Sequence, residues 1–266
     1  MNYSNITHAA IKAAQKAGAF LEARFNTPHT IHLKEGKQNL VTECDTMAES
    51  IILSDLQKEF PCHNFLAEES GGKTSSSDIS WVIDPIDGTV NFARGIPHFS
   101  VSIAAYKENE ILSGVIFHPI TKELFVAEKN KGAFLNGTPL LVSEVKTVDS
   151  ALLATGFPYN IDQNPMNTID VLSSFLNRGC PIRRFGSAAL DLAYVAAGRF
   201  DIYFETGIKP WDVAAGVLLI QEAKGMVSKW NGNPYNLLDD SDILATNTIL
   251  HEEMVELIRK GTSSWN

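Results

Sequence analysis

An apolar strand runs into two closely spaced carboxylates in the stretch Trp81-Val82-Ile83-Asp84-Pro85-Ile86-Asp87-Gly88-Thr89-Val90-Asn91-Phe92. Pro85 has no backbone N–H, so we expect the strand ladder to end there and the chain to turn. Asp84 and Asp87 can then converge on one hard cation, with the carbonyl oxygen of Ile86 as a further ligand. In the alternative interpretation, both carboxylates only cap backbone amides in a structural turn.

The two residues after Asp87 suit the binding of an anion. Gly88 has no Cβ and lets the backbone approach a ligand closely. If a helix begins at this point, the amides of Gly88 and Thr89 face the anion. The stretch therefore predicts a site for a cation and an anion at the end of a strand.

Two further segments of the chain supply carboxylates. Glu68 follows the apolar run 65–67 and precedes Gly71-Gly72; a solvated loop is its alternative environment. Asp212 precedes the apolar segment 213–223, which predicts a fully buried helix. A negative charge in the first turn matches the helix dipole, so helix capping is the alternative role of Asp212.

The remaining pattern predicts a layered α/β fold. Strands are expected at 64–67, 81–83, 100–106, 111–117, 124–127, 151–155 and 200–204, and helices at 6–25, 47–60, 168–176 and 213–223. We expect a mainly antiparallel N-terminal sheet with a helical layer, followed by a C-terminal half in which strands and helices alternate. The predicted halves are residues 1–146 and 147–266. Residues 34–39 are expected to form a loop, and 71–77 a mobile loop.

Composition limits the class of protein. The chain has 266 residues, of which 44% are hydrophobic, and this is enough for a large core. Three cysteines without CxxC spacing indicate reduced thiols rather than disulfides or a zinc site. No membrane span or signal-peptide pattern is visible, which favours a cytoplasmic protein. A formal net charge of −9 argues against nucleic acid as a partner, whereas a small phosphate ester can bind through metal cations.

Five short motifs follow one another along the chain. They are Leu40-Val41-Thr42-Glu43-Cys44-Asp45, Ala67-Glu68-Glu69-Ser70, the segment 84–92, Gly186-Ser187-Ala188-Ala189 and Trp211-Asp212-Val213-Ala214-Ala215-Gly216. Each motif is weak by itself, but the ordered set is specific. With these motifs in this order, the chain resembles the inositol monophosphatase family of lithium-sensitive, magnesium-dependent phosphatases, and the resemblance implies the layered sandwich shared with fructose-1,6-bisphosphatases.

The resemblance also implies roles for individual residues. The implied metal ligands, for two or three Mg²⁺ ions, are Glu68, Asp84, the Ile86 carbonyl, Asp87 and Asp212. The implied catalytic residues are Asp45, Glu68 and Thr89, with Thr89 and Asp45 as the pair that activates water. The implied substrate contacts are Lys34, Asp87, Gly88, Thr89, Gly186, Ala188, Glu205 and Asp212. Asp45 could instead be an ordinary residue at a helix N-terminus, Lys34 a solvated lysine and Glu205 an ordinary residue at a strand end.

The implied activity is hydrolysis of a small phosphate monoester by a metal-activated water, nominally of myo-inositol 1-phosphate. Fructose 1,6-bisphosphate, histidinol phosphate, NADP and 3'-phosphoadenosine nucleotides are alternative substrates. The segment 153–159 resembles the bacterial branch of the family, in which substrate preference is often broader. A homodimer is implied by the family alone, and a non-catalytic phosphate-binding protein is the alternative from another functional class.

Overall fold

Seven α-helices, three short 3-10 helices and fifteen strands form the described part of the protein in a computed structural model that covers residues 3–33 and 40–263. The helices are α1 (Asn5–Arg24), α2 (Glu43–Glu59), α3 (Thr89–Ala93), α4 (Thr168–Asn177), α5 (Ala188–Ala196), α6 (Pro210–Glu222) and α7 (His251–Ser263). The strands up to residue 139 are β1 (Ile31–Leu33), β2 (Leu40–Thr42), β3 (Asn64–Ala67), β4 (Gly71–Lys73), β5 (Ile79–Asp87), β6 (Ser100–Lys107), β7 (Glu110–His118), β8 (Glu123–Glu128), β9 (Gly132–Leu135) and β10 (Thr138–Pro139). The later strands are β11 (Leu153–Thr155), β12 (Ile182–Arg183), β13 (Ile202–Thr206), β14 (Met226–Ser228) and β15 (Asp242–Thr246).

Two large sheets organise these elements. The first has eight strands in the order β10-β9-β8-β7-β6-β5-β3-β4, and only the β3–β5 pair is parallel. The second has five strands in the order β12-β11-β13-β15-β14, in which β11 is parallel to both of its neighbours. Strands β1 and β2 form a separate antiparallel pair.

Alternation of side chains along the strands places helices on both faces of each sheet. In the first sheet, Val82 and Ala104 belong to a core that they share with α5 and α6, whereas Trp81 and Ile83 belong to a core with α1 and α2. The second sheet separates the shared core from a third one, which includes buried residues of α4 and α7. The result is five layers, in the order helix, sheet, helix, sheet, helix, and it confirms the layered α/β class.

The middle helical layer packs closely on the first sheet. A Cβ on Gly114 of β7 would lie 2.8 Å from the backbone oxygen of Ala215 in α6, so only glycine allows this approach. This contact fixes the position of α6, whose first turn carries Asp212. The predicted division at residue 146/147 falls between the two sheets along the chain, and as a domain boundary it stays a proposal.

Two sequence-based expectations were wrong. The ladder of β5 does not end at Pro85: it is interrupted between Asp84 and Asp87 and resumes with Asp87 opposite Ser100. Residues 71–73 are not a mobile loop but strand β4, because their backbone pairs with that of β3. The predicted loop at 34–39 lies outside the described residues.

Candidate active site

A cavity of about 410 Å³ brings together residues that are far apart in the sequence. Ten of the twelve predicted site residues line it: Glu68, Asp84, Ile86, Asp87, Gly88, Thr89, Gly186, Ala188, Glu205 and Asp212. Asp45 lies behind Thr89 and contacts it. Lys34 lies outside the described residues.

A β-bulge directs the carboxylates of β5 into this cavity. Asp84 pairs with Ser102 and Asp87 with Ser100, so three steps along β5 oppose two steps along β6. The extra residue bends the strand, as bulges next to active sites commonly do. The Oδ1 atom of Asp84 accepts a hydrogen bond from the backbone N–H of Ile86 at 3.0 Å.

Gly88 makes the turn from β5 into α3 possible. Its φ of 99° lies in the left-handed region. A Cβ at this position would lie 3.1 Å from the carbonyl oxygen of His98 and 3.2 Å from that of Gly186. A larger residue would therefore strain the backbone and displace the loop that carries Gly186.

Asp87 connects the two halves of the chain. Its carboxylate accepts hydrogen bonds from the Ser187 hydroxyl and from the backbone N–H groups of Ala188, at 3.2 Å, and Ala189, at 2.8 Å. These donors lie at the N-terminus of α5, where a negative charge is favoured. The capping role that the structural alternative predicts for Asp87 is therefore present, across about 100 residues of sequence.

Asp212 enters the cavity from the first turn of α6. Its Oδ2 atom accepts a hydrogen bond from the backbone N–H of Lys209 at 2.7 Å, so it too caps a backbone amide. Glu68 follows directly after β3 and is half-buried at the cavity wall, not in a solvated loop. Capping alone does not account for this convergence, because helix and turn caps need no common cavity.

Burial and mutual repulsion make the carboxylate cluster costly to charge. Burial, and then the charges of Glu68 and Asp87, raise the pKa of Asp84 well above its ordinary value. Burial raises the pKa of Asp87 to about 6, although its hydrogen bonds to Ser187 and Ala189 oppose the shift. Burial also raises the pKa of Asp212 well above its ordinary value, and the neighbouring carboxylates add to the shift. A cation bound among them would remove this repulsion.

The donor set fits hard divalent cations that keep part of their water shell. Within residues 3–33 and 40–263, no three His, Cys, Asp or Glu side chains are already placed to hold one metal ion. Mg²⁺ usually binds one or two carboxylates and completes its octahedron with water and substrate phosphate, so it needs no such cage. Several carboxylates around one cavity match this preference, whereas a closed structural metal site would not.

Thr89 and Asp45 form a hydrogen-bonded pair at the start of α3. The Thr89 hydroxyl lies 2.9 Å from Oδ1 of Asp45 and 3.0 Å from the Ile86 carbonyl oxygen, so its hydrogen has two acceptors within reach. The other oxygen of Asp45 accepts hydrogen bonds from the Thr42 N–H and hydroxyl in the capping box of α2. Asp45 thus does occupy a helix N-terminus, and this position fixes the side chain that holds Thr89.

Glu205, in β13, also lines the cavity. Its carboxylate packs directly on the backbone of Gly156, where a Cβ would overlap it, and it accepts a hydrogen bond from the Tyr203 hydroxyl. Burial raises the pKa of Glu205 to about 7. Glu205 is therefore aimed into the cavity and is not an ordinary residue at a strand end.

The polar residues of this region that were not predicted as site residues include Ser187, Arg184 and Asp191. Asp191 gave a signal that could have been used, since it is the one charged residue in the apolar helix α5. Ser187 and Arg184 gave none, because their roles depend on contacts with distant segments.

Other structural findings concern thiols and membranes. Cys44, Cys62 and Cys180 are free, as expected. Among the helices that the structure describes, none combines the length and apolar character needed to cross a bilayer.

The chain matches known proteins over nearly its whole length. A family model described as the inositol monophosphatase family matches residues 2–263. The Nus factor SuhB of Escherichia coli K12 is 41% identical over 256 residues, with 96% of each chain covered. The inositol-1-monophosphatase of Mesorhizobium japonicum is 38% identical over 267 residues, with 99% of this chain and all of that one covered.

Solved structures agree with these sequence relatives. The extragenic suppressor protein suhB of Bartonella henselae superimposes with a TM-score of 0.92 at 37% identity, over 97% of this chain and 100% of the other. The IMPase of Thermotoga maritima superimposes with a TM-score of 0.87 at 34% identity, over 97% and 98%.

Proposed function

We propose that this chain, which belongs to the inositol monophosphatase family, is a Mg²⁺-dependent phosphomonoesterase whose nominal substrate is myo-inositol 1-phosphate. The observation that carries the proposal is the convergence of four acidic side chains and the Thr89–Asp45 pair on one cavity. The relative from Mesorhizobium japonicum, an inositol-1-monophosphatase by name, supports the same chemistry.

The side chains of Glu68, Asp84, Asp87 and Asp212, with the Ile86 carbonyl, would hold two or three Mg²⁺ ions. When bound, such ions neutralise phosphate charge and make water a better nucleophile. The backbone amides of Gly88 and Thr89 are proposed to bind the phosphate at the start of α3.

Thr89 and Asp45 are proposed to orient the attacking water. The Thr89 hydroxyl donates towards Asp45 and can accept a hydrogen bond from water through a lone pair. Water then forms a bond to phosphorus in line with the ester bond that breaks; the attacking water gives up one proton, and the leaving alcohol oxygen takes up one. Glu68 also lines the cavity and is proposed to assist this step.

A competing mechanism makes Thr89 itself the nucleophile, with Asp45 as its base. A chiral phosphorothioate substrate distinguishes the two mechanisms. Direct attack by water inverts the configuration at phosphorus, whereas a phosphothreonine intermediate requires two displacements and retains it. We expect inversion, and phosphate trapped on Thr89 would overturn the proposal.

The alcohol part of the substrate is proposed to contact Gly186, Ala188 and Glu205. A half-buried carboxylate that already accepts a hydrogen bond from Tyr203 suits a leaving group with hydroxyls. Lys34 is kept as a proposed substrate contact because it matches the position of a lysine in an active-site loop of the family. Sugar bisphosphates, histidinol phosphate and nucleotide phosphates remain alternative substrates.

The experiment that tests the proposed activity is phosphate release from a panel of sugar, polyol, amino-alcohol and nucleotide phosphates. We expect turnover in Mg²⁺, none in EDTA, competition by Ca²⁺ and inhibition by Li⁺. Equal rates with and without a chelator would end the proposal. We also propose a cytoplasmic homodimer, and light scattering that gives a monomer mass would contradict the dimer.

A second candidate function follows from a different relative. The Escherichia coli protein that is 41% identical over 96% of the chain is named a Nus factor. This chain could share a non-catalytic role of that kind, alone or alongside catalysis. A variant without metal-binding carboxylates distinguishes the two, because it loses hydrolysis and keeps a role that depends only on the folded surface.

A further inference from the structure

Asp191 is a carboxylate at the cavity that the proposed mechanism leaves unused. It lies in α5, is only 1% exposed, and lines the same cavity as the predicted site residues. Its Oδ1 atom is buried without a hydrogen-bond partner in the part of the chain that the structure describes. Nearly all buried polar atoms in proteins are paired, so an unpaired oxygen on a residue that lines the cavity indicates a missing partner.

Asp191 lines the cavity together with Glu205 and Arg184. After burial, the charges of Glu205 and then of Asp87 raise the pKa of Asp191, and Arg184 acts in the opposite direction. Glu205 is held by the Tyr203 hydroxyl and the Gly156 backbone. The cavity therefore has two acidic residues beside Arg184, of which Glu205 has a protein donor and Asp191 has an oxygen without one among the described residues.

We propose that Asp191 is a specificity-determining residue that binds a hydroxyl of a polyol leaving group, beside the hydroxyl bound by Glu205. This inference rests on the proposed phosphatase function and narrows its substrate class to monophosphates of polyols. Asp191 plays no part in the attack on phosphorus.

The chemistry of the pair favours a neutral polyol over the alternative substrates. A hydroxyl offers a hydrogen to an unpaired carboxyl oxygen without adding charge. A second phosphate would meet two acidic groups and be repelled by them. An ammonium group would attract a carboxylate, but the guanidinium of Arg184 already provides positive charge in this cavity.

The test compares two substrates in matched variants of the full-length protein. One substrate is myo-inositol 1-phosphate, and the other is p-nitrophenyl phosphate, whose leaving group has no aliphatic hydroxyl. Asp191→Leu removes both oxygens at similar volume, and Asp191→Asn keeps one acceptor. Asp242→Asn is the control, because Asp242 is also buried but bonds to the Trp230 N–H away from the cavity.

We expect Asp191→Leu to lower kcat/KM for inositol phosphate by roughly 10- to 100-fold relative to p-nitrophenyl phosphate, because a buried hydroxyl of the substrate is left without a partner. Asp191→Asn should lose less, and Asp242→Asn should leave the ratio unchanged. Equal losses for both substrates, or an unchanged ratio, would overturn the inference. A larger loss of kcat/KM with histidinol phosphate than with inositol phosphate would indicate that Asp191 binds an ammonium-bearing alcohol. That result would also overturn the inference.

A binding measurement separates this inference from the proposed function. Calorimetric titration with myo-inositol 1-phosphate in Ca²⁺ requires no turnover. If the wild-type protein hydrolyses nothing, the proposed function fails, while weaker binding by Asp191→Leu still supports the role of Asp191. Equal binding by both proteins contradicts that role whatever the activity.

Discussion

Glu128 and Asp84 are both buried carboxylates, yet their surroundings are opposite. The Oε2 atom of Glu128, at the end of β8, accepts hydrogen bonds from the Thr7 hydroxyl at 2.6 Å and the Ser4 N–H at 2.9 Å, and Lys131 forms an ion pair with the other oxygen. Burial alone would raise the pKa of Glu128, but these donors outweigh it and hold the pKa below its ordinary value.

Asp84 has one amide donor, from Ile86, and is surrounded by other acidic groups. The fold therefore satisfies the charge of Glu128 by itself and gives Asp84 only one donor, which supports the proposal that Asp84 binds a metal ion. Burial of a carboxylate alone does not indicate a functional site. Burial of a carboxylate without enough hydrogen-bond donors does indicate one.

The largest expected difference between the two carboxylates is in turnover. Asp84→Asn should lower kcat at least about a thousandfold, because removing one member of a catalytic unit disables the whole. Glu128→Gln should keep the wild-type kcat, since Glu128 lies outside the cavity. Phosphate release in Mg²⁺ measures both variants, and near-normal turnover of Asp84→Asn would put Asp84 in the same structural class as Glu128.

Thr89 sharpens the comparison within the site. Thr89→Ala should lower kcat by about 10²- to 10⁴-fold, the range for loss of a positioned proton-transfer group. Thr89→Ser keeps the hydroxyl that donates to Asp45 and should recover most of that loss. If the alanine and serine variants are equally slow, the methyl packing of Thr89 matters instead of its hydroxyl.

The pH dependence of stability should have opposite signs for the two kinds of carboxylate. The pKa of Glu205 rises from 4.5 to about 7 in the folded protein, so the folded state holds the proton more tightly. The contribution of Glu205 to the free energy of unfolding is complete below about pH 4.5. It is lost as the pH rises to about 7, a change of roughly 3 kcal/mol. The lowered pKa of Glu128 gives stability that is present above its ordinary pKa and is lost as the pH falls.

Urea denaturation in EDTA over pH 4 to 8 measures this contrast as the free energy of unfolding. In the wild-type protein, the free energy of unfolding should fall as the pH rises from 5 to 7. Glu205→Gln should reduce this fall, and Glu128→Gln should leave it unchanged. A wild-type protein whose stability rises through this range would contradict the predicted signs.

The smallest expected effect is on stability at a fixed neutral pH. Glu128→Gln should lower the free energy of unfolding by about 2 kcal/mol, because its donors lose a charged acceptor. Asp84→Asn should raise it in EDTA, since one repelling charge is removed. Asp87→Asn should abolish turnover but should not raise the free energy of unfolding, because the carboxylate of Asp87 also caps α5. Destabilisation by Asp84→Asn in EDTA would show that its charge is satisfied within the protein.

The elements predicted from sequence are those with long apolar patterns. Strands β6 and β7 and helix α6 appear close to the expected residues, because eight or more residues give a clear period. Strands β4 and β12 have three and two residues, too few for any period, and their structure comes from pairing with a neighbour. The bulge in β5 was missed because it also depends on a partner strand. Pro85 predicts that the ladder is interrupted, but only the pairing with β6 shows that the ladder resumes at Asp87.

The sequence by itself determined the family of the chain and the identity of five acidic residues that line its cavity, because these are properties of motifs that can be read without neighbours. Only the tertiary structure decided which carboxylates are satisfied and which need a ligand. Glu128 obtains donors from residues more than 100 positions away, Asp87 obtains its donors from α5, and Asp191 is left with an unpaired oxygen. The charge state of a buried carboxyl depends on the groups that surround it in space, and no local stretch of sequence contains them.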